Sequence, residues 1–290
     1  MGAITRRIRR LAAKGELDQQ TADVMLSKVP RILKTKHLYQ KIRDTATSSF
    51  TAEDLKEDFD IIFWDDKKPL NKPIFFKQLS ENFLTSHYKV PCFKRHGPSE
   101  DTSGAQFCYN LTLDLSNFLG GMEAKVDGVT LQLDSDWKND RALYNNSSIL
   151  EYDMEGGKSK HRYEWMTLLI CGRPDLPHTL VTSRHMVHDP SHILRSELMI
   201  ILRVLYTKTK ECKWAAHKTI PVLLVSMRGG QFRVIEAYHG DSKVVLRYSN
   251  PITMPYEENA TSSQAKMSSV VRWMFSDPVG NTLASPQSAK

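Results

Sequence analysis

The spacing of apolar residues divides the chain into a helical first part and a strand-rich second part. In residues 4–13 the apolar side chains recur every three or four positions, which places four of them on one side of a helix: Ile4, Ile8, Leu11 and Ala12. Four further helices are predicted, over 17–28, 31–43, 51–59 and 73–86, with Thr51 as the N-cap of the one at 51–59. Pro30 is expected to end the first of these, because proline removes a helical N–H donor.

Short apolar runs bounded by turn residues predict strands in the second part. These runs cover residues 108–115, 129–134, 149–154, 163–171, 220–227, 232–238 and 243–248. The run 220–227 is nearly all apolar, which is typical of a central strand that is covered on both faces. The last two runs flank a turn sequence at 239–242 and predict a hairpin.

Two helices are expected to frame the last three strands. Asp189 and Pro190 have the residue types of a helix N-terminus, and the apolar pattern continues through Leu205. A further helix is predicted over 262–275. The predicted order along the chain is therefore helix, three strands, helix.

These elements predict an α+β fold in which a helical region precedes a mixed-sheet domain. The basic helical region covers 1–88, and a polar loop at 93–107 marks the boundary. The second domain covers 108–276 and ends in an αβββα unit. Residues 277–290 are polar, contain two prolines and are expected to be a disordered tail.

Glu197 lies in the apolar helix, where a carboxylate is unusual. It shares one side of that helix with six apolar residues: Ile193, Leu194, Ile200, Ile201, Val204 and Leu205. A buried carboxylate must be paired, protonated or bound to a cation, so Glu197 is a candidate for chemistry. The alternatives are a hydrogen-bonded core acid or a structural ion pair, with three candidate partners: Lys208, Arg233 and Arg247.

Charge is concentrated at the start of the chain. Residues 1–48 contain 11 Lys and Arg against 4 Asp and Glu, which equals the net charge of +7 for the whole chain. The first helix carries four arginines beside its apolar side: Arg6, Arg7, Arg9 and Arg10. They could bind nucleic-acid phosphates or an anionic membrane surface, or the helix could be a mitochondrial presequence. Alternatively, they could simply face solvent while the helix packs its Ile and Leu side chains on the domain.

Cysteine usage and hydropathy indicate an intracellular protein. The four cysteines are far apart and form no Cys-x-x-Cys pair, so they are expected to be reduced core thiols. The sequence contains neither a secretory signal nor an apolar run long enough to cross a membrane. We expect a nuclear or cytoplasmic location, with a mitochondrial one as the alternative.

The αβββα unit, with Glu197 in its helix and Glu236 in the first hairpin strand (FRVIEAY), resembles the core of the PD-(D/E)XK nucleases. That resemblance implies that Glu197 and Glu236 hold Mg²⁺ and that Arg247 or Lys243 stabilises phosphate charge. The second hairpin strand (KVVLRYS) lacks the acid-x-Lys element of the family, so both an active and an inactive core are consistent with the sequence. If Glu236 instead faces solvent, it is an ordinary surface acid.

The same block is similar to segments of uncharacterised filamentous-fungal proteins. The similar stretches read IPVLLVSM, FRVIEAYHG and VVLRYSNP. This similarity implies a fungal origin and a shared domain, and it implies no activity.

Histidines cluster before the long helix. His185, His188 and His192 follow the spacing His-x-x-His-x-x-x-His, with His178 upstream. Imidazoles at a turn into a helix could bind Zn²⁺ or Fe²⁺, or they could be solvated or structural.

The predicted function is that of an intracellular nucleic-acid-associated protein with a nuclease-like, active or inactive, core. One alternative is a non-enzymatic fungal accessory or interaction protein that docks a protein partner. Another is a histidine-based metalloenzyme acting on a small molecule. The sequence leaves the partner, the oligomeric state and the biological process open.

Overall fold

A computed structural model describes residues 2–64, 71–87, 115, 135–140, 143, 165–185, 189, 191–228, 230–254 and 260–283. Its α-helices are α1 (Ala3–Ala13), α2 (Gln19–Asp44), α3 (Ala52–Leu55), α4 (Glu81–His87), α5 (Arg195–Thr209) and α6 (Ala260–Met274), with a 3₁₀ turn at Cys212–Trp214. Its first six strands are β1 (Ser49–Phe50), β2 (Phe59–Phe63), β3 (Phe76–Lys77), β4 (Lys138–Asn139), β5 (Trp165–Gly172) and β6 (Thr179–His185). The others are β7 (Ile193–Leu194), β8 (Val222–Arg228), β9 (Gln231–His239), β10 (Val244–Tyr248), β11 (Ile252–Thr253) and β12 (Asp277–Pro278).

The α+β prediction is confirmed, because helices pack on a mixed eight-stranded sheet. The strand order is β2-β10-β9-β8-β6-β5-β4, and β11 pairs with the start of β9. The pairs β2–β10 and β6–β8 are parallel, and the other neighbours are antiparallel. The predicted αβββα unit is α5-β8-β9-β10-α6, interrupted by the short β11.

Two apolar cores lie on opposite faces of this sheet. Along β8, Val222 and Leu224 join a core with residues of α2 and α5. Leu223 and Val225 join a core with residues of α4 and α6. Both faces of β8 are therefore covered, which explains its apolar sequence and confirms it as a central strand.

Strands predicted in the second half are found as β5, β8, β9 and β10, with ends shifted by up to two residues. The last predicted helix is found as α6. The strands predicted at 108–115, 129–134 and 149–154 lie outside the described residues, apart from the buried Leu115, and so does the boundary at 93–107.

The prediction that Pro30 separates two helices is wrong, because α2 continues through it. Proline inside a helix costs about 3 kcal/mol, since it removes one hydrogen bond and crowds the preceding turn. Buried residues on both sides of Pro30 offset that cost. Ala22 and Met25 pack with α1, and Leu38 and Ile42 join the core between the sheet and α5, which we call the α5 core. Tertiary packing therefore holds the helix together across the proline.

Residues 1–88 are not purely helical. The predicted helix at 51–59 ends at Leu55, although Thr51 caps it as expected, and β2 begins at Phe59. β2 pairs in parallel with β10, so this region supplies an edge strand of the main sheet. The helix predicted at 73–86 is also wrong, because β3 precedes the shorter α4.

The predicted disordered tail is ordered at its start. β12 pairs with β3, and its neighbour Ser276 is fully buried, with its carbonyl accepting a hydrogen bond from Trp137 Nε1 at 3.0 Å. Residues 277–283 therefore belong to the folded structure.

Candidate functional site

Glu197 lies in the first turn of α5 and is fully buried. The helix begins at Arg195 and not at Asp189, because residues 193–194 form β7 and pair with β1. Glu197 Oε2 accepts a hydrogen bond from the Leu194 backbone N–H at 3.0 Å, so its carboxylate caps its own helix. Asp189 instead caps the preceding turn, where its carboxylate accepts from the Ser191 and His192 backbone N–H groups at 3.1 Å.

The partner of Glu197 is Arg228, at the end of β8. Arg228 Nη2 donates to Glu197 Oε1 at 2.9 Å and to Oε2 at 3.1 Å. The Ser226 hydroxyl, two residues earlier on the same face of β8, also donates to Glu197 Oε1. The structural ion-pair alternative thus describes Glu197, but its partner is none of the three residues that were expected.

Arg228 also ties the chain before α5 to the sheet. Its Nη1 donates to the carbonyl oxygens of Asp189 at 2.6 Å and His192 at 2.7 Å. One guanidinium therefore connects β8 to the helix N-terminus and to the turn before it. Burial and the neighbouring Arg228 lower the pKa of Arg233, whereas the charge of Glu197 opposes that shift.

His185 lies beside Glu197 and Arg228 and extends their buried polar network through two serines. Its Nδ1 lies 2.7 Å from Ser196 Oγ and its Nε2 lies 2.7 Å from Ser183 Oγ. Complete burial lowers the pKa of His185 to about 4, although the charge of Glu197 opposes the shift. A neutral imidazole has one donor and one acceptor, so the two hydroxyls satisfy both nitrogens. We call these six residues the α5 cluster: Ser183, His185, Ser196, Glu197, Ser226 and Arg228.

Glu236 is equally buried, but it lies on the other face of the sheet. Its neighbours in sequence, Ile235 and Ala237, belong to the α5 core, and side chains alternate along a strand. The Glu236 carboxylate accepts from the Phe75 N–H at 2.7 Å and from the Ile74 N–H at 2.9 and 3.0 Å. It therefore neither meets α5 nor faces solvent, and both sequence-based expectations for it are wrong.

Burial raises the pKa of Glu236 to about 7. The backbone N–H groups of Ile74 and Phe75 and the charge of Arg247 act in the opposite direction. Arg247 Nε lies 3.8 Å from Glu236 Oε1. Arg247 thus accompanies Glu236 on that face and does not approach Glu197.

The two acids predicted to share Mg²⁺ are separated by the sheet. Glu197 is bound by Ser226 and Arg228 on one face, and Glu236 is bound by backbone N–H groups on the other. One ion cannot contact both carboxylates in this arrangement. Among the residues that the structure describes, no group of three His, Cys, Asp or Glu side chains has the geometry to hold a metal ion.

The predicted histidine site does not form from its described members. His185 is enclosed by two serines, whereas Nδ1 of the half-exposed His192 lies 2.8 Å from Asp189 Oδ2. His178 is buried, with Nε2 3.2 Å from the Val279 carbonyl oxygen, and burial lowers its pKa to about 4. His188 lies outside the described residues.

The described cysteines are free thiols. Cys171 is buried, and burial raises its pKa to about 12, which suppresses the reactive thiolate. Cys212 is half-buried, and Cys92 and Cys108 lie outside the described residues.

The first helix presents its arginines to solvent. Ile8 is buried and packs with Ala22 and Met25 of α2. The four arginines are exposed: Arg6, Arg7, Arg9 and Arg10. The amphipathic helix predicted over 4–13 is thus confirmed as α1, with its apolar side on the domain.

Ser226 and Arg228 are partners of Glu197 that the sequence did not predict. The signal available was the end of β8, where VLLV is followed by Ser-Met-Arg. In a strand with both faces covered, polar residues at alternate positions must be satisfied inside the protein. Ser226 and Arg228 alternate in this way, which indicates that one face of β8 carries buried polar groups but does not name their partner.

Comparison of the chain with protein-family models, curated proteins and solved structures finds no match. Within the described residues, no helix is both long and apolar enough to cross a membrane.

Proposed function

We propose that this chain is an intracellular nucleic-acid-binding protein whose nuclease-like core is an inactive scaffold. The observation that carries the proposal is the exposed arginine face of α1, held in place by the buried Ile8. A helix fixed by its apolar side has a defined orientation, so its cations form a preset surface and do not move independently.

The cations of α1 are spaced for contact with a phosphate backbone. Arg6 and Arg10 of α1 and its C-cap residue Lys14 recur every four residues and lie in one row, about 6 Å apart along the helix axis. Lys14 Nζ also lies 3.6 Å from Glu16 Oε1, so the two arginines carry most of the unpaired charge of this row. Phosphates follow one another at about 3.4 Å along the axis of each DNA strand, so neighbouring cations can contact different phosphates. Arg7 widens this row on the same exposed side.

The surroundings of the two acids support a scaffold and not a catalyst. Glu197 has both oxygens engaged by Arg228, and Glu236 is held by two backbone N–H groups on the opposite face. A divalent cation would have to displace a buried guanidinium at Glu197, leaving that charge unpaired at considerable cost. The binding function of α1 requires no such rearrangement.

The test is the salt dependence of binding to labelled single- and double-stranded oligonucleotides, measured by fluorescence anisotropy. The triple variant R6Q/R7Q/R10Q should reduce the slope of log K against log salt by roughly 3 on duplex, since each lost phosphate contact contributes about 0.9. Between about 50 and 200 mM salt, the wild type should therefore lose roughly 40-fold more affinity for the duplex than the triple variant does.

The matched control is K36Q/K56Q/K213Q, which removes the same charge from exposed positions elsewhere. We expect it to retain most of the wild-type slope. Equal losses in both triple variants would show that net charge alone attracts the nucleic acid, and the proposal for α1 would fail. Absence of binding by the wild-type chain would leave an acidic protein partner as the better hypothesis.

A further inference from the structure

Three cations of α2 face the loops at the end of the sheet. Lys28, Arg31 and Lys34 are spaced by three residues and lie on one side of the helix. Lys28 Nζ donates to the carbonyl oxygens of Trp214 and His217, both at 2.8 Å.

The other two cations make similar bonds. Arg31 Nη1 donates to the Lys218 carbonyl oxygen at 2.9 Å, and Lys34 Nζ donates to the Ser242 carbonyl oxygen at 2.6 Å. These carbonyls orient the cations but carry no formal charge themselves. Burial lowers the pKa of Arg31, and the charge of Asp241 opposes that shift.

A cavity of about 330 Å³ opens beside Arg31 and Lys34, between α2 and the turn that joins β9 to β10. Its volume lies at the lower end of the range for small-molecule sites, which is about 300–1,000 Å³. The cavity wall combines cations with hydroxyl groups: Arg31, Lys34, Lys243, Ser27, Thr35 and Ser242. The backbone of Gly240 completes the turn that closes it.

The lining carries more positive than negative charge. Asp241 is the acidic residue of the lining, and its side chain is 94% exposed and lies 3.4 Å from Lys218. Lys243 is partly balanced by Asp60, 3.6 Å away.

Repulsion within this cluster is visible in two titrating groups. Burial first and Arg31 second lower the pKa of Lys28 to about 8. Burial, then Arg31 and Lys34, lower the pKa of His239 to about 3. An anion in the cavity would relieve this repulsion.

We propose that the cavity between α2 and the β9–β10 turn is a binding site for the phosphate group of a small phosphomonoester. A phosphate dianion needs more than one cation, and Arg31 and Lys34 supply them from adjacent turns of one helix. The Ser242 hydroxyl adds a neutral donor, whereas the Ser27 hydroxyl already donates to the Val24 carbonyl oxygen at 2.7 Å. The volume leaves room for a small group attached to the phosphate. This proposal goes beyond nucleic-acid binding by α1 and does not depend on it.

The experiment is calorimetric titration of the full chain with inorganic phosphate, with a nucleoside monophosphate and with the unphosphorylated nucleoside. We expect saturable binding of both phosphate ligands and none of the nucleoside. Tighter binding of the nucleotide than of inorganic phosphate would support a phosphomonoester as the ligand. Equal binding would show that the group attached to the phosphate makes no contact, and would overturn the phosphomonoester in favour of free phosphate. Lack of saturable phosphate binding by the wild type would overturn the proposal.

Variants locate the site. R31Q and K34Q should each weaken phosphate binding at least tenfold, whereas K36Q, which removes an exposed lysine outside the cavity, should change it less than twofold. Lys34 is exposed, so K34Q is expected to fold even if R31Q does not. Equal weakening by K34Q and K36Q would contradict the assignment.

Testing the variants of each site in the binding assay of the other distinguishes the two proposals. K34Q should bind oligonucleotides as the wild type does, and R6Q/R7Q/R10Q should bind phosphate as the wild type does. Loss of phosphate binding in the α1 variant would place the anion on α1 and overturn the assignment to this cavity.

Discussion

Two fully buried glutamates occupy opposite faces of one sheet, and their partners differ in kind. Glu197 is matched by the guanidinium of Arg228, with a hydroxyl and a backbone N–H completing its contacts. Glu236 is matched by backbone N–H groups, with Arg247 more distant at 3.8 Å. A carboxylate in an apolar helix or strand is therefore not by itself a sign of catalysis, because each can stabilise a connection that the fold requires.

Because their partners differ, the two glutamates also connect different elements of the fold. The ion pair of Glu197 joins α5 to β8, so it depends on complementary charge. The bonds of Glu236 attach the segment at Ile74 and Phe75 to β9, and this carboxyl has a pKa of about 7. The first connection should break on loss of a partner, and the second should respond to pH.

The largest effect is expected from removing the partner of Glu197. Arg228→Met should lower the free energy of unfolding by about 3–5 kcal/mol, because it leaves a buried charge unpaired. The double variant R228M/E197Q should recover part of this loss, since it removes both charges. Urea denaturation measures both values, and a loss below about 1 kcal/mol in Arg228→Met would show that the pair is not essential.

The second largest effect is expected on the pH dependence of stability, which distinguishes Glu236 from Glu197. The pKa of Glu236 is raised in the folded state from 4.5 to about 7, so the folded protein holds a proton that the unfolded chain releases. Its contribution to stability is therefore present at low pH and is lost as pH rises from about 4.5 to about 7.

Glu236→Gln should remove this dependence. Between pH 5 and pH 8 the wild type should lose about 2–3 kcal/mol of free energy of unfolding that the variant does not lose. Urea denaturation across this range checks the difference. Parallel pH profiles for the two proteins would contradict the raised pKa.

The smallest effect concerns the hydroxyl that bonds His185. Ser196→Ala should cost about 1–2 kcal/mol, because one ring nitrogen of a buried imidazole loses its partner. Ser27→Ala removes an exposed hydroxyl and serves as the control, with an expected change within about 0.5 kcal/mol. Equal stability of the two variants would mean that the His185–Ser196 contact does not contribute.

The burial of Glu197 could be predicted from its sequence, whereas its partner could not. Apolar neighbours at helical spacing indicate a buried face, which is local information. The pairing with Arg228 depends on β8 lying beneath the N-terminus of α5, which follows from the parallel pairing of β6 with β8. Local periodicity contains nothing about such long-range register.

The same limit explains the errors in the first part of the chain. Thr51 was identified as a cap because its interaction with Asp54 is local. β2 was missed because Phe59–Phe63 becomes a strand by pairing with β10, about 185 residues later in the chain. The helix through Pro30 persists for a related reason, since its packing partners lie on α1 and α5.

We propose that the chain binds nucleic acid without cleaving it. The most direct measurement incubates end-labelled single- and double-stranded DNA and RNA with the wild-type chain and Mg²⁺ or Mn²⁺, and quantifies bound and cleaved fractions in the same samples. We predict salt-sensitive binding with intact substrate. Metal-dependent cleavage that is lost in both Glu197→Gln and Glu236→Gln would contradict the scaffold function and show that the two acids act together.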